Sequence, residues 1–169
     1  MLEPSPDNLR YLRRNAAPHP EIRIVEQAAS DRAGQARFFL EDLSGQNSTL
    51  IEDYGNLSEN RENAFSDAHY RAITVETITL DALIAQERLA PAFIKIDIEG
   101  AELLALRGMQ HCLRHHRPKL MVEVTSDEEL VMQLLADAGY AAYDSNLKPL
   151  VPGEHTGPNR FFLPVEQPT

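Results

Sequence analysis

The chain has 169 residues, of which 43% are hydrophobic, and it carries a formal charge of −10. This length is typical of one domain, and the acidic balance argues against nucleic-acid or anionic-membrane binding, which relies on a basic face. The one cysteine, Cys112, excludes an internal disulfide and a Cys-based zinc site. Neither a secretion signal nor an apolar run of roughly 18 residues is recognisable, so we expect a cytoplasmic protein.

The first half of the chain predicts a helix, short strands and a long loop. Ser5 is suited to cap a helix that begins at Pro6 and continues to about Asn15. Short strands are expected at 22–25 and 36–40. The polar region 41–70 is long for a loop in a compact domain. Beta-branched residues predict a strand at 73–78, followed by a helix whose apolar face contains Leu80, Leu83 and Ile84.

The second half alternates strands and helices. Strands are expected at 93–98 and 120–124, and the helix between them has a buried stripe at positions 103, 106, 109 and 113. Ser126 and Glu129 form a capping box for the next helix, whose Leu130, Leu134 and Leu135 should face inward and which Gly139 should end. Strands at 140–143 and 160–163 suggest an antiparallel pair. The alternation predicts an α/β fold with a mostly parallel sheet.

Polar residues cluster where the predicted strands end, which is where open α/β sheets bind ligands. They are Glu3, Ser30, Asp31, Asp97, Glu99, Glu123 and Thr125. Because most are acidic, the edge suits hydroxyls, amines or a cation better than phosphates. Asp97 is the leading candidate, since it ends an apolar strand and Gly100 nearby permits close approach of a ligand.

Other chemistry is less well supported. A hard cation could be held by Asp97, Glu99 and Glu123, but the spacing is not that of an EF-hand and we assign no metal. The helix dipole alone explains Glu102, and a structural role is expected for His111, His115 and His116. His155 could reach the strand-end cleft. The eight glycines show no Gly-x-Gly spacing, which excludes the dinucleotide fingerprint, and no Walker loop is present.

Residues 95–102, Lys-Ile-Asp-Ile-Glu-Gly-Ala-Glu, continue to Gly108 in a segment that resembles the FkbM-type family of S-adenosylmethionine-dependent methyltransferases. The surroundings are also similar, from residues 3–6 through 79–81 to 159–162. The resemblance implies a Rossmann-like, doubly wound methyltransferase sheet with an antiparallel C-terminal strand. Residues 1–169 would form a partial class I methyltransferase domain, with 41–70 as an acceptor-side insertion.

Site roles follow from the resemblance. Glu3 would hold the ribose hydroxyls of S-adenosylmethionine, and Ser30 and Asp31 would lie near its adenine. Asp97, with Glu99 beside it, would face the methionine end and act as catalytic base. The implied reaction transfers a methyl group to a hydroxyl of a small molecule or sugar.

One feature departs from the family pattern. Family members begin with a strand and a Gly-rich turn that cradles the cofactor, whereas here only Met1 and Leu2 precede Glu3. We therefore expect an N-terminally truncated member with an incomplete cofactor site and weak cofactor binding. A non-catalytic methyltransferase-like binding protein and a metal-assisted hydrolase are the alternatives. The acceptor and the oligomeric state are left open.

Overall fold

The computed structural model describes residues 1–41, 48–51, 70–150 and 157–165. Four α-helices, one π-helix and seven strands lie within these ranges. In chain order they are α1 (Pro6–Ala16), β1 (Ala28–Ala29), β2 (Gly34–Glu41), β3 (Tyr70–Ile78), α2 (Leu80–Glu87), β4 (Phe93–Ile96), α3 (Glu102–Arg107), the π-helix (Cys112–His116), β5 (Lys119–Glu123), α4 (Glu128–Asp137), β6 (Tyr140–Tyr143) and β7 (Asn159–Pro164).

The strands form two sheets of mixed direction. One has the order β1-β3-β2, and the other has the order β4-β5-β7-β6. Among the strands of the described residues, β1/β3 and β4/β5 are parallel pairs, whereas β2/β3, β5/β7 and β6/β7 are antiparallel. The α/β class and the antiparallel final strands are confirmed. The expectation of a mostly parallel sheet is wrong, because β2 and β6 pair directly with the strands that follow them.

The amino-terminal segment pairs only briefly with its neighbour. Leu2 and Val25 form an isolated parallel bridge, in which the Glu3 amide donates to the Val25 carbonyl at 3.0 Å and the Val25 amide donates to the Met1 carbonyl at 2.8 Å. Pro4 follows and has no N–H to extend the ladder. The predicted strand at 22–25 is therefore wrong, since its last residue alone is paired.

Helix α1 forms as its sequence predicts. The Ser5 hydroxyl accepts a hydrogen bond from the Asn8 amide at 3.3 Å, and Pro6 occupies the first helical position. Leu9 and Ala16 are buried. This helix therefore fixes where the chain leaves Glu3, which stands two residues before the cap.

The main core lies between the helices and the four-stranded sheet. All four residues of the predicted stripe, Leu103, Leu106, Met109 and Leu113, are buried in it. The predicted continuous helix is nevertheless interrupted, because α3 ends at Arg107 and the π-helix begins at Cys112. At the interruption, a Cβ on Gly108 would lie 2.1 Å from the Ser30 carbonyl oxygen, so this glycine lets the chain of α3 touch the turn after β1.

The amino-terminal end of α4 differs from the prediction. Its cap residue is Asp127, with φ 50° and no side-chain capping bond, and the Ser126 hydroxyl donates instead to the Gly100 carbonyl at 3.1 Å. Leu130 is 50% exposed, while Val131 is fully buried. The capping box and the inward position of Leu130 are wrong. The end of the helix at Gly139, with φ 80°, is confirmed.

Among the helices in the described ranges, none combines the length and the apolar character needed to cross a membrane.

Candidate active site

The candidate site is built on the turn that follows β4. Strand β4 ends at Ile96, two residues earlier than predicted, because the Ile98 amide donates to the Glu102 carboxylate. Glu99 has φ 50° and Gly100 has φ 90°, so the chain reverses sharply before α3. Since β4 and β5 are parallel neighbours, the residues at their carboxyl ends meet at one edge of the sheet.

Asp97 and Glu123 form a hydrogen-bonded carboxyl pair at this edge. Hydrogen bonding to Asp97 raises the pKa of Glu123 to about 7, and burial and the negative charges of Asp97 and Glu99 act in the same direction. The same hydrogen bond lowers the pKa of Asp97, with help from Lys95, whose Nζ lies 2.6 Å from the Asp97 Oδ2. Glu123 therefore stays protonated to a higher pH than an ordinary carboxyl group.

Glu99 completes an acidic group with this pair. One oxygen from each of Asp97, Glu99 and Glu123 lies within 4.8 Å of the other two. The strand-end expectation that these side chains lie close together is thus met. The Lys95 ammonium and the shared proton already offset much of the negative charge of the group.

A cavity of about 140 Å³ opens beside this turn and is lined also by residues of β1, of β2 and of the amino-terminal segment. The three carboxylates among its described lining residues are those of the predicted site residues Glu3, Asp97 and Glu99. The remaining polar lining is Asn8, Gln27 and Ser48, with Leu2, Pro4, Ala28, Ala29, Phe38, Leu50, Ile98 and Ala101 as the less polar part. The residues that follow Leu2 and β4 in the chain, Glu3 and Asp97, thus line the same cavity.

Glu3 is held in this cavity by the start of α1. Its Oε1 accepts a hydrogen bond from the Ser5 amide at 2.8 Å, and its Oε2 accepts one from the Asn8 side chain at 3.4 Å. Burial raises the pKa of Glu3, and these two hydrogen bonds oppose the rise. A carboxylate oxygen has two lone pairs, so each oxygen can accept one further hydrogen bond from a ligand.

The family model described as the methyltransferase FkbM domain matches residues 1–142. The chain belongs to the FkbM methyltransferase family. The chain is also similar in fold to the crystal structure of methyltransferase FkbM from Methylobacillus flagellatus KT, with 19% identity and a TM-score of 0.59. That match covers 96% of this chain and 35% of the other, so the chain spans about a third of its solved relative. No curated protein matches the chain.

Two other predicted residues of this FkbM domain lie apart from the cavity. Ser30 is buried, and its hydroxyl is 3.3 Å from the Asp31 Oδ1. Asp31 is exposed, and neither residue is among those that line the cavity. Their assignment to the adenine therefore stays a prediction.

A larger apolar groove of about 570 Å³ runs along β4 of the FkbM domain and adjoins the cavity. The two share Leu2, Ala29, Asp97 and Ile98. In the part of the chain that the structure describes, β4 is an edge strand, and Phe93 is 53% exposed. Asp97 thus lies where the polar cavity meets the apolar groove.

Sequence reasoning missed two buried polar residues of the FkbM domain. Thr49 is fully buried and donates to the Glu99 carbonyl at 2.6 Å. Glu102, which the helix dipole seemed to explain, is fully buried and accepts hydrogen bonds from the same turn. The available signal for Glu102 was its place three residues after Glu99 in the motif, whereas Thr49 stood in a polar region without any pattern.

Three histidines of the FkbM domain lie close together around the π-helix. His111 and His115 stack at 4.0 Å between ring centroids, beside His116. None of the three lines the cavity or the groove, in keeping with the structural role expected for them. His155 lies outside the described residues.

Proposed function

We propose that this FkbM domain is an S-adenosylmethionine-dependent O-methyltransferase that acts on a hydroxyl of a small molecule or sugar. The observation that carries the proposal is the convergence of Glu3, from the amino-terminal segment, with Asp97 and Glu99, from the turn after β4, on one cavity. Carboxylates accept hydrogen bonds from hydroxyls and attract cations. S-adenosylmethionine has both kinds of group, since its ribose carries hydroxyls and its α-amino and sulfonium groups are cationic.

The carboxylates that line the cavity have the chemical properties that S-adenosylmethionine requires of its binding site. Glu3 retains one accepting lone pair on each oxygen, as two ribose hydroxyls require. Asp97 and Glu99 supply negative charge for the methionine end. A cavity of about 140 Å³ is smaller than the roughly 300–1,000 Å³ of typical ligand pockets, so a molecule of this size would also use the adjoining groove.

S-adenosylmethionine supplies an electrophilic methyl group when bound. The residues of this chain then have to orient the acceptor and remove its hydroxyl proton. Asp97 is the proposed acceptor of that proton, because it lines the cavity and is hydrogen-bonded to Glu123, with which it can share the proton. Once the pair has lost its shared proton near pH 7, it can take up one from the acceptor and return to the singly protonated form. A base poised near the working pH is efficient.

The metal-assisted hydrolase is less favoured. The grouping of Asp97, Glu99 and Glu123 within 4.8 Å is the observation in its favour. However, the Lys95 ammonium lies 2.6 Å from Asp97, and Glu123 retains a proton up to about pH 7. A divalent cation would have to displace both positive charges.

The proposal is tested by transfer of a radiolabelled methyl group from S-adenosylmethionine to a panel of polyols, sugars and phenols. We expect label on a hydroxyl, and a loss of about 100-fold or more in rate for Asp97→Asn, since general-base catalysis contributes about that much. Asp137→Asn is the matched control, because Asp137 is exposed on α4 and distant in sequence from the motif.

Three outcomes would contradict the proposal or its assignment of the base. Label that appears only on amines would exclude O-methylation. Label that reaches hydroxyls equally fast in wild type and Asp97→Asn would remove Asp97 as the base. Transfer to no acceptor, together with no calorimetric binding of S-adenosylmethionine, would favour the non-catalytic alternative.

A further inference from the structure

The turn after β4 is hydrogen-bonded to a buried carboxylate. Oε1 of Glu102 accepts from the Ile98 amide at 3.3 Å and from the Gly100 amide at 3.1 Å. Its Oε2 lies 3.4 Å from the Thr125 hydroxyl. One side chain therefore fixes two amides of the turn and joins them to the residues after β5.

The carbonyls of the same turn are held by two other elements. The Ser126 hydroxyl donates to the Gly100 carbonyl at 3.1 Å, and the Thr49 hydroxyl donates to the Glu99 carbonyl at 2.6 Å. Side chains from three separate parts of the chain thus converge on residues 98–100. These hydrogen bonds stabilise an unusual backbone conformation, because Glu99 has φ 50°, which non-glycine residues seldom adopt.

Glu102 does not serve the core in which it lies. It is fully buried between Ala101 and Leu103, which are also buried. Burial raises its pKa, and the hydrogen bonds from the turn oppose that rise. A buried carboxylate costs desolvation free energy that an apolar side chain would not. Its contribution is therefore to the turn that it binds.

The turn carries the two carboxylates of the proposed methionine end. Asp97 stands at its start and Glu99 at its centre, and both line the cavity. A small rotation at 98–100 would move Asp97 away from Glu123 and Glu99 away from the cavity. Catalytic groups lose efficiency when they are misplaced by as little as about 1 Å.

We propose that Glu102 is a positioning residue, which holds the turn at 98–100 so that Asp97 and Glu99 face the cavity. Its effect on methyl transfer rests on the proposed function, whereas its effect on the geometry of the Asp97–Glu123 pair does not.

The first experiment measures geometry without any turnover. The carboxyl carbon of Glu123 is titrated by NMR in the wild type and in three variants. Glu102→Gln keeps one oxygen for the two amides and should leave the titration near pH 7. Glu102→Met removes both oxygens and should lower the titration by about one pH unit or more, as the pair separates. The side chain in Glu102→Asp is too short to reach the amides, so this variant should also lower the Glu123 titration. It serves in place of Glu102→Met if Glu102→Met does not fold.

Leu106→Ala is the matched control. Leu106 is fully buried in the same helix and contributes to the core, so its truncation destabilises the domain without touching the turn. We expect the Glu123 titration to remain near pH 7 in this variant. A wild-type titration in both Glu102→Met and Glu102→Asp would overturn the proposal, and so would an equal displacement in Leu106→Ala.

The second experiment measures methyl transfer in the same proteins. We expect Glu102→Asp to lower kcat about tenfold or more, with a smaller change in the KM for the acceptor. Glu102→Gln should keep most of the wild-type kcat. An equal kcat in wild type and Glu102→Asp would contradict positioning. If the wild type transfers no methyl group, the proposed function fails, and the NMR titration still decides the role of Glu102.

Discussion

Replacement of Glu123 by glutamine should change how the stability of the domain depends on pH. In the wild type the pKa of Glu123 rises from an ordinary 4.5 to about 7, so the folded state keeps a proton that the unfolded chain has lost. The resulting stabilisation is fully present below pH 4.5 and is lost as the pH rises through about 7. Glutamine cannot titrate, yet its amide can still donate to Asp97.

The size of the effect follows from the shift. At roughly 1.4 kcal/mol per pKa unit, the rise to about 7 corresponds to an upper bound of about 3 kcal/mol. Glu123 is half-buried at the edge of the sheet, so solvent screening should reduce this to about 1–2 kcal/mol. The lowered pKa of Asp97 affects stability only as the pH falls below its ordinary 3.8, which is outside this window.

The assay is urea unfolding followed by circular dichroism at pH 5, 6, 7 and 8 and constant ionic strength. The wild type should lose about 1–2 kcal/mol relative to Glu123→Gln between pH 5 and pH 8. Glu129→Gln is the control, because Glu129 is exposed on α4 and should leave the profile of the wild type unchanged. Unfolding free energies that stay parallel in wild type and Glu123→Gln would refute the shared proton.

Three further predictions concern packing, binding and rate. Gly108→Ala should lower the unfolding free energy, measured in urea, by about 1–3 kcal/mol, because its Cβ would lie 2.1 Å from the Ser30 carbonyl oxygen. An unchanged midpoint would show that the turn at Ser30 can move away without cost. Glu3→Gln should weaken calorimetric binding of S-adenosylmethionine about tenfold through the loss of charged hydrogen bonds, whereas the exposed Glu26→Gln should not, and equal affinities would contradict the ribose assignment. The rate of methyl transfer should rise with pH through about 7, where the pair loses its proton, and a profile without that rise in the wild type would argue against Asp97 and Glu123 as the base.

Elements specified by neighbouring residues could be predicted from the sequence. Helix α1 follows from the Ser5 hydroxyl, the fixed φ of Pro6 and the apolar Leu9, all within five positions. The end of α4 at Gly139 follows in the same way from its positive φ. In both places the physical cause lies within one helical turn of its effect.

Predictions failed where a distant partner decided the outcome. Ser126 has the sequence of a helix cap, but its hydroxyl bonds to Gly100, 26 residues away, and Asp127 becomes the cap residue. The helix consequently presents Val131 to the core and Leu130 to solvent. The propensity of a serine to cap a helix is weak enough for one tertiary hydrogen bond to override it.

The candidate site shows the same division. Strand ends place Asp97, Glu99 and Glu123 together because the carboxyl ends of parallel neighbours meet at one edge. Glu3 reaches the same cavity from the amino-terminal segment before α1. The role of Glu102 could not be predicted, because its burial depends on how residues from β5 onward pack around it. The proton shared by Asp97 and Glu123 could not be predicted either, because it depends on how close the ends of two separate strands bring the two carboxyl groups.

The hydrogen bond from Thr49 to the Glu99 carbonyl has a consequence for changing the acceptor of this domain. Segment 48–51, which contributes Ser48 and Leu50 to the cavity wall, is joined by a 2.6 Å hydrogen bond to the backbone of Glu99. Under the proposed function, the choice of acceptor and the placement of this carboxylate therefore cannot be varied independently. A library that varies this segment should keep Thr49 fixed, since otherwise changes in selectivity would be confounded with loss of the site itself.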